Sequence, residues 1–145
     1  MVWVEQRKLQ TTVIFFNLLN NKGGFIAPFF LGGKMEITYD DFKKVKIKLG
    51  TVLSVEKNEK ARKPSLVLKV DFGKEIGIKQ SSAQITHYYS KENLVGKQVI
   101  GVCNFPKKNI AGIISEVLIL GAIEKDGKVI LDHPSQKAEN GLDIA

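Results

Sequence analysis

From Met35 onward the chain is dominated by short runs in which apolar and polar residues alternate with a period of two, the spacing of a strand with one buried face. In "KIKLGTVLSVEK" the alternation places Ile47, Leu49, Leu53 and Val55 on the inner face and Lys46, Lys48, Ser54 and Glu56 mostly on the outer one. A charged loop, Lys57 to Lys63, ends at Pro64, and "SLVLKVDF" then turns Leu66, Leu68, Val70 and Phe72 inward. These two segments predict an antiparallel pair with a long connection. "KEIGIK" predicts a further short strand bent at Gly77, since a glycine inside a strand marks a bulge or bend. "QVIGVCNF" is apolar on both parities, as in a strand covered on two sides, and Pro106 ends it. After a loop opened by Lys107 and Lys108, "AGIISEVLILGAIEKDGKVILD" predicts one long strand, a turn at Asp126-Gly127 and a last strand. Two short helices complete the pattern, one capped by Thr38 with Asp40 and Asp41 in its first turn, the other near Ser90 to Leu94 and closed by Gly96. About five short strands with glycine bends and little helix predict an all-β fold, a small closed or partly closed barrel. The tail, "HPSQKAENGLDIA", has no period and is expected to lie along the surface.

"KQSSAQI", residues 79 to 85, is the densest hydrogen-bonding stretch of the chain, with an ammonium, two carboxamides and two hydroxyls and no catalytic base. The alternation before it places it where the chain leaves a strand. One reading is a turn and a helix start capped by Ser81 or Ser82; the other is a polar recognition surface on the barrel.

Residues 1 to 34 have a different character. Their two apolar runs are broken by Asn17, Asn20, Asn21, Gly23, Gly24 and Pro28, and neither reaches the roughly 20 residues that span a bilayer. Leu31-Gly32-Gly33-Lys34 before Met35 can be encoded as TTA GGA GGT AAA ATG, a bacterial ribosome-binding sequence ahead of a start codon. The expectation is a translated leader or disordered extension over 1–34 and one domain over 35–145.

Composition narrows the function. The net charge is +7, but residues 1 to 34 carry four Lys/Arg against one Asp/Glu, which leaves +4 for the rest. That charge favours polyanionic partners only mildly. The single cysteine, Cys103, excludes an internal disulfide and any multi-cysteine metal site, and it stands in an apolar run where cysteine acts as a small hydrophobe. His87 and His133 have no partners at metal-ligand spacing, and Asp40, Asp41 and Asp71 do not form an acid and base pair. The expectation is a cytoplasmic binding protein without metal, cofactor, catalysis or membrane insertion.

Three segments, "FKKVKIKLGTVLSVE", "ARKPSLVLKVDFGKEIGIKQSSAQIT" and "GKQVIGVCNFPKKNIAGIISEVLILGA", closely resemble the CsaA family of export-related chaperones. That family is similar in turn to the tRNA-binding domains appended to methionyl-tRNA synthetases. The resemblance covers nearly all of Met35 to Ala145 and implies a five-stranded OB-fold barrel working as a homodimer. It implies recognition of unfolded or export-destined polypeptides, with Lys79, Gln80, Ser81, Ser82, Gln84 and Asn104 as contacts. The alternative ligand is tRNA, held by Arg62, Lys63, Lys79, Lys107, Lys108 and Ser115. Ser115-Glu116-Val117 stands where the synthetase-type domains carry Ser-x-Gly-Met, which places polypeptide ahead of tRNA.

Overall fold

The computed structural model describes residues 35–145; the leader reading for residues 1 to 34 lies outside them. The chain divides between Phe42 and Lys43 into two units. Helix α1 (Tyr39–Lys43) begins as expected: Asp41 N donates to Thr38 Oγ1 (3.1 Å) and Thr38 N to Asp41 Oδ2 (3.2 Å), so cap and first turn satisfy each other.

The second unit is a nearly closed antiparallel barrel of the OB type. Its elements run β1 (Ile47–Lys57), β2 (Leu66–Asp71), α2 (Gly73–Ile76), β3 (Ile78–Ala83), α3 (Lys91–Leu94), β4 (Gln98–Val102), β5 (Lys108–Ile110), β6 (Ile113–Ser115), β7 (Leu118–Ile119), β8 (Gly121–Ile123) and β9 (Val129–Leu131). Five of them form the main sheet, in the order β3-β2-β1-β4-β7, while β5-β6 and β8-β9 are separate hairpins. The free edge of β3 meets the chain just after β6, where Glu116 N donates to Gln80 O at 2.8 Å.

The inner face matches the β2 alternation: Leu66, Leu68, Val70 and Phe72 are all buried, together with Val55, Val99 and Val117. On β1 the reading is corrected. A β-bulge shifts the register between Val52 and Ser54, so Val52 turns inward at 1% exposure and Leu53 outward at 45%. Lys74, Glu75 and Ile76 belong to helix α2 rather than to a strand; the Gly73 and Gly77 backbones take positive φ of 81° and 77°, and Phe72 N donates to Gly77 O (3.0 Å) across the bend. The expected loop at Lys108 is strand β5.

The expected long strand after Gly112 is three short ones, because each piece pairs with a different neighbour. β6 pairs β5, Glu116 bonds Gln80, β7 pairs β4, and β8 pairs β9. No single straight strand can follow four partners around a barrel.

The tail lies along the surface as expected, and it is tied to the barrel there as a strand-like segment. Gly141 N donates to Leu49 O (2.8 Å), Leu49 N to Leu142 O (3.0 Å) and Ile144 N to Ile47 O (3.0 Å), along the half of β1 that β2 leaves unpaired. Lys48 Nζ pairs with Asp143 Oδ1 at 2.9 Å. The Lys48 hydrogen bond holds the Asp143 carboxyl below its ordinary value, and Asp143 raises Lys48. The carboxylate's contribution is therefore complete above about pH 4 and lost as pH falls through the lowered value. Lysine's is complete below about pH 10 and lost above the raised one. Measured against the unprotected amide at each pH, the Gly141 and Ile144 amides are expected to lose protection from hydrogen exchange on acidification below about pH 4 before the β2 amides do; simultaneous loss of both would contradict this.

Candidate nucleic-acid or polypeptide interface

Residues 79 to 83 lie within a strand, not at the exit from one, and the β2-β3 register sorts them. Gln80 pairs with Lys69 and Ser82 with Val67 on the outer face, whereas Lys79, Ser81 and Ala83 pair with the inward Val70, Leu68 and Leu66. Ser81 is accordingly 2% exposed, out of reach of a surface ligand. Ser115 is also 2% exposed; its hydroxyl accepts from Ser82 N (3.3 Å) and donates to Val117 O (3.4 Å). Both are structural, and the expectation that they touch ligand is corrected. The helix-start reading of this stretch falls with the strand.

Asn104 is exposed, but its carboxamide is committed to backbone. Oδ1 accepts from Lys46 N (2.9 Å) and Nδ2 donates to Lys44 O (2.7 Å), which anchors the approach to β1. Lys107 is ion-paired with Glu116 at 3.0 Å. That bond, foremost, holds the Glu116 carboxyl below its ordinary value against the opposing effect of burial. Lys108 lies on β5; Arg62 and Lys63 are exposed in the β1-β2 loop, away from Lys107 in sequence and on a different element. Gln84, just past β3, is half-buried.

What the fold does bring together is a groove of about 360 Å³ across the outer faces of β1, β2 and β3, between the β1-β2 loop and the turn of the β5-β6 hairpin. Val67 lies in it, flanked by Lys69 and Gln80; Glu56, Glu59 and Lys60 line its loop end. A β-carbon at Gly112 would lie 3.6 Å from Lys60 Cδ, so loop and hairpin approach closely there. Gln80 is held in place by donating from Nε2 to Ile114 O (3.1 Å) and from its amide to Glu116 Oε2 (3.2 Å).

Of the expected contacts, only Gln80 lines this groove. Lys69, Lys60 and Val67 were missed. The usable signal was Val67, an apolar residue at an outward position of β2, which implies a covering neighbour.

Burial pushes the half-buried Cys103 thiol up to about 11, far from a thiolate at neutral pH. Among the described residues no cluster of three or more His, Cys, Asp or Glu could hold a metal ion, and no helix is long and apolar enough to cross a membrane.

Residues 47–143 match the family described as "Putative tRNA binding domain". The chain is 40% identical over 111 residues to methionine–tRNA ligase of Chlorobium limicola, a match covering 77% of this chain but 15% of the ligase. Among solved structures it resembles the chaperone CsaA of Bacillus anthracis, at 44% identity and a TM-score of 0.72 over 76% of this chain and 99% of that one. The CsaA chaperone of Picrophilus torridus gives 50% identity and a TM-score of 0.71 over 76% of this chain and all of the other, 100%.

Proposed function

Because the chain belongs to the tRNA-binding domain family, a family of binding rather than catalytic domains, we propose that it is a CsaA-like chaperone which takes unfolded or export-destined polypeptide along the outer groove. The observation that carries this reading is the lining of the groove. Glu56 and Glu59 stand among Lys57, Lys60 and Lys69, with Val67 between the strands. A phosphate backbone is drawn to a continuous basic track, and two carboxylates interrupt this one. An extended peptide suits it better, since its amides pair with polar side chains and its apolar side chains cover Val67. The contact set includes Gln80 and Lys69, with Gln84 at its margin; Lys79 stands on the opposite face of β3, and the Ser82 hydroxyl is buried.

The test compares one unfolded polypeptide and one tRNA on the same preparation at low and high salt. Polypeptide affinity is expected to change little with salt and to fall by about 1 kcal/mol in Gln80→Ala. Strong tRNA binding that drops steeply with salt, and whose slope flattens by about one charge in Lys69→Ala, would reverse the choice of ligand.

The working form is proposed to be a cytoplasmic homodimer. Ile123 and Ile130, on the β8-β9 hairpin, remain about half exposed, and a partner subunit is an economical cover for them. Light scattering at micromolar concentration is expected to report twice the chain mass; a monomer would remove this part of the proposal.

A further inference from the structure

Three buried side-chain atoms among the described residues have no hydrogen-bond partner: Asn58 Nδ2, Ser65 Oγ and Ser82 Oγ. Two of the three belong to residues that line one cavity, about 720 Å³, between the ends of the β1-β2 loop and the segment from Thr86 to Glu92. Asn58 and Ser65 are 8% and 4% exposed, and the Asn58 N–H donates to Ser65 O at 2.9 Å, which fixes them side by side. The Asn58 carboxamide is also fixed in orientation, because its Oδ1 already accepts from Lys60 N at 3.2 Å. Nδ2 is thus a committed donor, and the Ser65 hydroxyl beside it can donate or accept. Leaving such groups unpaired is unfavourable, which gives a ligand that pairs them an advantage.

The pattern of one fixed donor beside one hydroxyl complements one residue of an extended main chain, whose C=O and N–H point to the same side: the carbonyl accepts from Nδ2 while the N–H donates to the hydroxyl. The surroundings select against phosphate, since Glu56, Glu59 and Glu92 line the cavity with Lys57 and Lys91. Tyr89 is a poor platform for a stacked base: it is half-buried, and its hydroxyl accepts from Leu131 N at 2.9 Å. Glu56 and Asn58 line this cavity and the outer groove alike, so the two are neighbouring stretches of one path around the end of β1.

We infer that this cavity is a second polypeptide subsite, in which the C=O and N–H of one residue of the extended ligand pair with Asn58 Nδ2 and Ser65 Oγ after the ligand leaves the outer groove. Both atoms are buried although their residues line the cavity, so the ligand backbone reaches them only as the loop from 58 to 65 opens. The ligand class rests on the polypeptide reading above; the location does not.

The experiment titrates ¹⁵N-labelled protein with a blocked, uncharged peptide of glycine, serine and leucine, and separately with unstructured oligoadenylate. The Asn58 side-chain NH₂ resonances are expected to shift with the peptide. Asn58→Asp, which keeps the acceptor for Lys60 and removes the donor, is expected to weaken peptide binding about tenfold, and Ser65→Ala about threefold. Peptide saturation that leaves the Asn58 NH₂ unmoved overturns the inference. If Gln80→Ala weakens the peptide while Asn58→Asp does not, this subsite falls and the outer-groove reading stands. No peptide binding at all removes both. Oligoadenylate in place of peptide moving the NH₂ overturns the ligand class. Should Asn58→Asp fail to fold, the wild-type NH₂ shift and the Ser65→Ala affinity decide the matter.

Discussion

Phe72→Ala is expected to destabilise the barrel by about 3–5 kcal/mol, the range for emptying a fully buried aromatic site. Phe72 has no exposed surface, and its ring lies over two strands from which side chains are missing. A β-carbon at Gly50 of β1 would lie 2.7 Å from Phe72 Cδ1, and one at Gly101 of β4 would lie 3.0 Å from Phe72 Cζ and 2.9 Å from Val117 Cγ2. The glycines are therefore the seat of the ring, and surrounding strands cannot collapse into the gap without bending. Chemical denaturation of the variant should show a lower midpoint with an unchanged slope. The reciprocal change, Gly101→Ala, overpacks the same space and is expected to cost about 1–3 kcal/mol. Combined with Phe72→Leu, it should destabilise by less than the two changes summed, because the smaller side chain makes room. Strict additivity would show that ring and glycine are not in contact.

Gln98→Leu is expected to destabilise by about 2–4 kcal/mol, the scale of several buried hydrogen bonds lost with their partners left behind. The Gln98 carboxamide donates from Nε2 to Ala138 O (2.6 Å) and Asn140 Oδ1 (3.1 Å), and its Oε1 accepts from Ala138 N (3.0 Å). Asn140 also accepts from Thr51 Oγ1 at 2.7 Å, so one buried glutamine on β4 joins the tail to β1. Leucine keeps the volume and removes every side-chain bond from this position to the tail. Amide exchange at Gly141 and Ile144 should accelerate by about 10- to 100-fold, while β2 remains protected. Tail amides that keep their protection in the variant would show that the β1 pairing alone holds this segment.

Much of the barrel was legible because burial on one face imposes its own period. The inward set of β2, the Thr38 cap and the glycine closing α3 follow from rules acting over a few residues. Leu53 was misplaced because a bulge inserts one residue without any local mark, so that Val52 before it and Val55 after it, three residues apart, both turn inward. The long strand after Gly112 was misjudged for a related reason: an unbroken apolar run records that its residues are covered, not which strand covers each of them.

The candidate site divides in the same way. The amino-acid sequence by itself determined the all-β class, the family resemblance and the concentration of polar groups in residues 79 to 84. It could not say that Ser81 points into the core while Gln80 points out, since that depends on which residues of β2 stand opposite. Nor could it join Lys60, Lys69 and Gly112, or reveal that Asn104 and Gln98 spend their carboxamides on distant backbone, Asn104 on Lys44 and Lys46 and Gln98 on Ala138. Propensity and alternation are properties of neighbours along the chain. The groove, the tail's attachment and the unpaired Asn58 and Ser65 atoms are set by residues that meet only when the sheet curls and closes, and only the tertiary structure decided them.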